Sequence, residues 1–164
     1  MKNPYYIIAP PYIRTSAGVR VLYRLCDVIN KLGGSAFIYL RPHVNHDLAS
    51  SPNDVAPYLN KKILDYHFEN GLTPIVIYPE TVDISKFSAP FKVRYVLNYD
   101  NYLFENNKQI KDDFLVAYSA NIANKLNADI PSIRINLPIS DHNFYCPPKN
   151  EKRSGGVFYA GKYK

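Results

Sequence analysis

The stretch YYIIAPPYIRTSAGVRVLYRLCDVINKLGG, residues 5–34, decides how this chain is read. Its first five residues are aromatic and β-branched, and Pro10-Pro11 ends them, as suits a buried strand that cannot continue past residues lacking an amide donor. From Ser16 the period changes. Leu22, Leu25, Cys26, Ile29 and Leu32 recur at steps of three and four, while Arg20, Arg24, Asp27 and Lys31 fall on another stripe, which is the pattern of one amphipathic helix. Thr15 or Ser16 is placed to cap its start by accepting a backbone N–H, and Gly33-Gly34 provides a left-handed stop. A second apolar run, residues 35–40, follows after a short turn. Two strands joined by a helix in this way lie parallel, so the stretch predicts a β-α-β crossover.

Further along the chain the alternation continues. Residues 59–68 are weakly helical, IVIYP (75–79) and VRYVLN (93–98) read as strands, FLVAYS (114–119) as a strand and SANIANKL (119–126) as a helix opened by Ser119, and SIRIN (132–136) as a strand. Near-continuous apolar strands separated by helices predict an α/β fold, a Rossmann-like three-layer sandwich around a mostly parallel sheet. Residues 41–57 are polar and dotted with proline, a surface loop long enough to carry a function. Residues 146–156, CPPKNEKRSGG, combine proline, glycine and charge without periodicity, which is a linker composition. The strand-like VFYAGKYK (157–164) after it reads as the opening element of a second domain. The organisation expected is thus a domain over 1–145, a linker over 146–156 and a first strand of a further domain over 157–164.

Composition narrows the setting. With 164 residues and 46% hydrophobic residues the chain builds one substantial core, single domains clustering near ~100–150 residues. The net charge of +6 favours encounters with anions such as nucleotide diphosphates or anionic lipid headgroups, and equally serves solubility. No dense basic run points to nucleic acid, since Glu151 interrupts the nearest cluster. Two cysteines give neither a disulfide framework nor a zinc spacing, which fits a reducing, cytoplasmic compartment. The early apolar run is far below the ~18 residues of a membrane span.

Candidate site residues follow from the strand ends, because open parallel sheets bind ligands outside the carboxyl ends of their strands. In the first loop, Ser16 and Gly18 stand where free helix N–H groups face outward, with Arg14 and Arg20 adding charge for an anion or a sugar hydroxyl. The dinucleotide fingerprint and the P-loop lysine are both absent. A cap and turn alone would account for the same residues. Glu80, just past IVIYP, can accept a hydroxyl hydrogen bond, take a proton, or cap the next segment. Asn98, Asp100 and Glu105 lie past another strand, among tyrosines whose flat faces suit sugars. His43 and His46, with Asp47 beside them, have no partner or scaffold that supports a metal site. There is no nucleophile elbow of the hydrolase type.

Taken together, the SAG loop, the helix ending KLGG, IVIYPE, VRYVLN, YSANIANKL, LPISDHNFYCPP and FYAGKYK resemble the amino-terminal half of bacterial GT-B glycosyltransferases of the polysaccharide and lipopolysaccharide O-antigen type. The resemblance implies an acceptor-side domain whose active site is completed by a carboxyl-terminal, donor-binding domain, so that the fragment alone would not turn over. It implies transfer from a nucleotide-sugar donor to a glycan or lipid-linked acceptor, with no obligatory metal and no other cofactor. Peripheral contact with an anionic membrane surface is a further expectation, and nucleic acid is not expected. Arg14, Ser16, Gly18, Arg20, Asn98 and Asp100 are implied to face the acceptor. By the same resemblance Glu80 is implied as the catalytic base if the enzyme inverts, and Gly161 and Lys162 are implied to face the donor diphosphate. Two other classes fit the residues: a stand-alone nucleotide- or sugar-binding module, and an oligomeric structural protein that exchanges its tail strand.

Overall fold

The computed structural model describes residues 2–40, 56–84, 88–98, 113–126 and 132–139. In chain order the elements are β1 (Tyr5–Ala9), α1 (Ala17–Lys31), β2 (Ala36–Leu40), α2 (Lys61–Glu69), β3 (Ile75–Pro79), β4 (Phe91–Val96), β5 (Phe114–Ala117), α3 (Ala120–Ala123) and β6 (Ser132–Arg134). Among the described residues these strands form one six-stranded sheet of order β2-β1-β3-β4-β5-β6, with every pairing parallel. The α/β, Rossmann-like sandwich expected from the alternation is therefore the fold observed. Boundaries moved by a few residues: β4 begins at Phe91 and ends at Val96, leaving Leu97 and Asn98 beyond the strand, and the helix after Ser119 is a single turn. The linker over 146–156 and the strand over 157–164 lie outside the described residues, as does the polar stretch 41–55 of the long loop.

Side chains alternate across the sheet, so each strand feeds two cores. On one face Ile7, Ala9, Ile38, Ile77, Tyr95 and Val116 pack with α1. On the other, Ile8, Val76 and Tyr78 pack with Val82 and Ile84 of the β3–β4 connection, while Ile122 of α3 meets Val96 and Ala117. The division follows from handedness. The chain steps from β1 to β2 in one direction and thereafter in the other, and right-handed crossovers put those two directions on opposite faces.

The first crossover is built from local chemistry. Ser16 caps α1, its hydroxyl accepting from the Val19 N–H at 3.5 Å, so the cap falls to Ser16 rather than Thr15. Val19, Leu22, Leu25 and Cys26 bury the apolar stripe. Asp27, on the stripe read as polar, is buried too, because Arg24 and Lys31 one turn to either side both donate to its carboxylate. At the other end the Gly34 N–H donates to the Ile29 carbonyl at 2.9 Å and the Gly33 N–H to that of Asn30 at 3.0 Å, with Gly33 at φ 77°. This paired arrangement satisfies carbonyls that the helix end leaves open. A Cβ on Gly34 would stand 2.5 Å from the Ile29 side chain and 2.9 Å from its carbonyl oxygen, so both glycines are required, for different reasons. Asn30 then ties helix to strand: its amide donates to the Ala36 carbonyl at 3.0 Å and its Oδ1 accepts from the Ala36 N–H at 2.7 Å.

On the opposite face α2 docks through His67, the buried residue of that helix. Its ring stacks on Tyr6 with centroids 5.8 Å apart and lies against Phe37 and Tyr66, and the Tyr6 hydroxyl lies 2.8 Å from Nδ1. Burial lowers the His67 pKa below its usual 6.5, since the ring is harder to charge there. The unfolded chain then binds more protons than the folded one between the depressed value and 6.5, so stability is full above pH 6.5 and is lost as pH falls through that window. Thermal melts of wild type between pH 7.5 and 5 are expected to show a falling Tm, and His67→Phe, which keeps the aromatic contacts, is expected to flatten that slope. Equal slopes in the two proteins would assign the acid loss elsewhere.

Candidate functional site

The strand order reverses between β1 and β3, and in a doubly wound sheet the crevice for a ligand opens there, outside the carboxyl ends of those strands. Three chain segments meet at that edge: the loop from Pro10 into α1, the residues past β3 beginning with Glu80, and Leu97-Asn98 past β4.

The loop is held from beneath by tyrosines. The Tyr23 hydroxyl donates to the Pro10 carbonyl at 3.1 Å and lies 3.3 Å from the Tyr58 hydroxyl, while the Tyr12 ring meets Tyr23 edge-on at a centroid distance of 5.1 Å. Burial, with Tyr58 alongside, raises the Tyr23 pKa far above the usual phenol range, so this hydroxyl stays neutral as a structural donor. These tyrosines were not singled out in the sequence; their helical and loop positions carry no periodic signal that points to a shared cluster.

Within the loop the residues part ways. Ser16 is the helix cap, and its own N–H donates to the Ile13 carbonyl at 3.0 Å. Arg14 is exposed at the rim. Arg20 turns along α1 and donates to the Ile139 carbonyl, fastening residues 135–139 over the α1 face, so its guanidinium already serves the fold. Gly18 lies beside the end of β4: a Cβ there would stand 3.7 Å from Leu97 Cδ1, an ordinary contact. The fold itself therefore does not require glycine at this position.

Glu80 is 6% exposed, and its Oε2 accepts from the Leu97 N–H at 2.9 Å. The carboxylate thus spans from the end of β3 to the end of β4 and satisfies an amide that the sheet leaves open. Asn98 is half-buried at the same edge. Asp100, Glu105, His43, His46, Asp47, Gly161 and Lys162 lie outside the described residues. Among the described residues no group of three His, Cys, Asp or Glu side chains is placed to hold a metal. Cys26 is fully buried, its thiol pushed up to about 12 by burial, a packing residue rather than a nucleophile. Among the described residues no helix is long and apolar enough to cross a membrane.

The class defined by this geometry is a doubly wound, parallel α/β domain, with the loop into α1, Glu80 and Leu97 gathered at its switch point. No protein-family model, no curated protein and no solved structure matches the chain.

Proposed function

We propose that this chain is the acceptor-side domain of a glycosyltransferase that moves a sugar from a nucleotide-sugar donor to a glycan or lipid-linked acceptor in bacterial surface polysaccharide synthesis. The observation that carries this reading is the convergence, at the switch point, of the glycine-containing loop that opens α1 with Glu80 and Asn98. The GT-B resemblance supplies the reaction class. In it, Arg14, Gly18, Asn98 and Asp100 face the acceptor, Ser16 and Arg20 hold the loop and α1 in place, and Gly161 and Lys162 face the donor diphosphate. Neither a metal nor another cofactor enters, and charge on the leaving diphosphate is met by basic groups and helix dipoles of a donor-binding domain. The first domain contributes alignment of the acceptor hydroxyl, and in an inverting reaction Glu80 receives its proton. The reaction takes place in the cytoplasm, with peripheral contact at the inner membrane surface.

Saturation-transfer NMR on the chain, with a panel of methyl glycosides and of nucleotide-sugars, tests this. Binding of glycosides without turnover is expected. Binding confined to nucleotides would instead favour a stand-alone nucleotide-binding module. Gly18→Ala separates site from fold, because replacing a helical glycine by alanine stabilises by ~0.5–1 kcal/mol where space allows. The variant is expected to melt higher and to bind glycosides about tenfold more weakly, a loss of about 1.4 kcal/mol in binding. A variant that gains stability and keeps full binding would remove Gly18 from the site.

A further inference from the structure

Residues 135–139, just past β6, leave the sheet and run over its α1 face to the first turn of α1. Burial alternates along them: Ile135, Leu137 and Ile139 are half-buried against the core that α1 covers, while Asn136 and Pro138 are exposed. Alternate carbonyls are held as well. That of Ile135 accepts from the Tyr95 hydroxyl at 2.6 Å, that of Leu137 from the Tyr118 hydroxyl at 3.3 Å, and that of Ile139 from the Arg20 guanidinium. The segment is an extended strap fastened in turn from β4, from the end of β5 and from α1.

What fastens the strap differs from what holds the sheet. Among the described residues one backbone bond joins the two, from the Ile135 N–H to the Ala117 carbonyl at 3.0 Å, and Pro138 has no amide to offer. The other fastenings are side-chain donors on carbonyls, including the Asn136 amide on the Tyr118 carbonyl at 3.2 Å. When such a segment lifts, water replaces each partner, and the net loss per bond is small. Half-buried apolar side chains return little surface to water, and five residues regain backbone freedom. Segments with few backbone bonds and shallow burial open below the free energy of global unfolding. The last fastening stands at a significant place: the Arg20 N–H donates to the carbonyl of Ser16, the α1 cap, at 3.1 Å, so this end of the strap lies at the switch-point edge.

We propose that residues 135–139 are a strap that opens as a unit while the sheet stays intact, with Arg20 as its latch. Closed, it ties the switch-point end of α1 to the chain leaving β6; open, it frees the Arg20 guanidinium at that edge. The inference does not depend on the glycosyltransferase reading.

Native-state hydrogen exchange followed by NMR on the full chain tests it. The Ile135 amide reports the strap, and the Tyr118 and Ile75 amides, bonded to the Val96 and Pro4 carbonyls at 3.0 and 2.9 Å, report the sheet. Protection of Ile135 is expected to be lower than that of either by roughly tenfold or more and to depend little on sub-denaturing urea, as a local opening exposes little surface. Arg20→Ala removes the latch four residues from the reporter, and alanine, the best helix former, leaves α1 intact. It is expected to speed Ile135 exchange about tenfold, as for a lost charge-assisted bond at a half-exposed site. Tyr118→Phe, which keeps the ring and loses the donor to Leu137, should speed it about threefold. Circular dichroism melts establish that both variants are folded. Ile135 exchange as slow as that of the sheet amides, with the same urea dependence, would overturn the proposal, because the strap would then open only with the whole fold. So would an Ile135 rate that neither variant moves, because its opening would then be independent of the latch.

Discussion

Asp113→Ala is expected to lower the free energy of unfolding by ~3–5 kcal/mol, the range for removing one partner of a buried charged group. Asp113 sits just before β5 with its side chain out of solvent, accepts a hydrogen bond from the Tyr78 hydroxyl and has the Lys92 ammonium 4.0 Å away. Arg94, also buried, is in register with Tyr78 on the neighbouring strand. Burial, and then the Asp113 carboxylate, hold the Tyr78 hydroxyl well above its usual pKa, while Arg94 opposes them, so all these groups feel one another. Deleting the carboxylate leaves the Tyr78 hydroxyl without its acceptor and the Lys92 ammonium without its neighbouring anion. Asp113→Asn keeps an acceptor for Tyr78 and loses only the charge, so its cost should be intermediate. Urea denaturation of the three proteins measures this, with unchanged m-values as the check that the same transition is compared. A loss below ~1 kcal/mol for the alanine variant would mean that solvent reaches the cluster and screens it.

Under the transferase reading proposed above, Glu80→Gln is expected to carry the second large effect, on rate rather than stability. General-base catalysis contributes about 10²–10⁴-fold, and a carboxamide cannot take a proton from an acceptor hydroxyl. The amide oxygen of glutamine can still accept from the Leu97 N–H, so the bridge from β3 to β4 survives and Tm should move little. Glu80→Ala breaks that bridge as well and takes from the half-buried Leu97 N–H its acceptor, at a cost of ~1 kcal/mol. Sugar transfer measured in the protein as produced from its gene, with melts of both variants, separates the two roles. A folded glutamine variant slowed by two to four orders of magnitude assigns the base. One that keeps most of its turnover leaves Glu80 as a staple between strands and removes the proton-transfer role.

Sequence and tertiary structure divided the work along physical lines. Residues 5–40 alone determined the crossover: the prolines closing β1, the three- and four-residue spacing of Leu22, Leu25, Cys26 and Ile29, Gly33-Gly34 at the stop and the apolar run after it are local signals, satisfied within a few residues. The parallel sheet was equally legible, because strands buried on both faces must be apolar almost throughout. The order β2-β1-β3-β4-β5-β6 was not written locally, and with it the position of the switch point became visible only in the assembled sheet. The same holds for side chains whose partners are distant in the chain. Arg20 looked like a free cation beside a ligand loop until Ile139, 119 residues later, appeared as its acceptor, and Glu80 like an open base until Leu97 closed on it. His67 and Arg94 stood among weak helical and apolar patterns with nothing nearby to show that each would be buried. Backbone propensity and periodicity are properties of neighbouring residues, whereas hydrogen bonding and burial of a polar group are settled by which segments packing brings together.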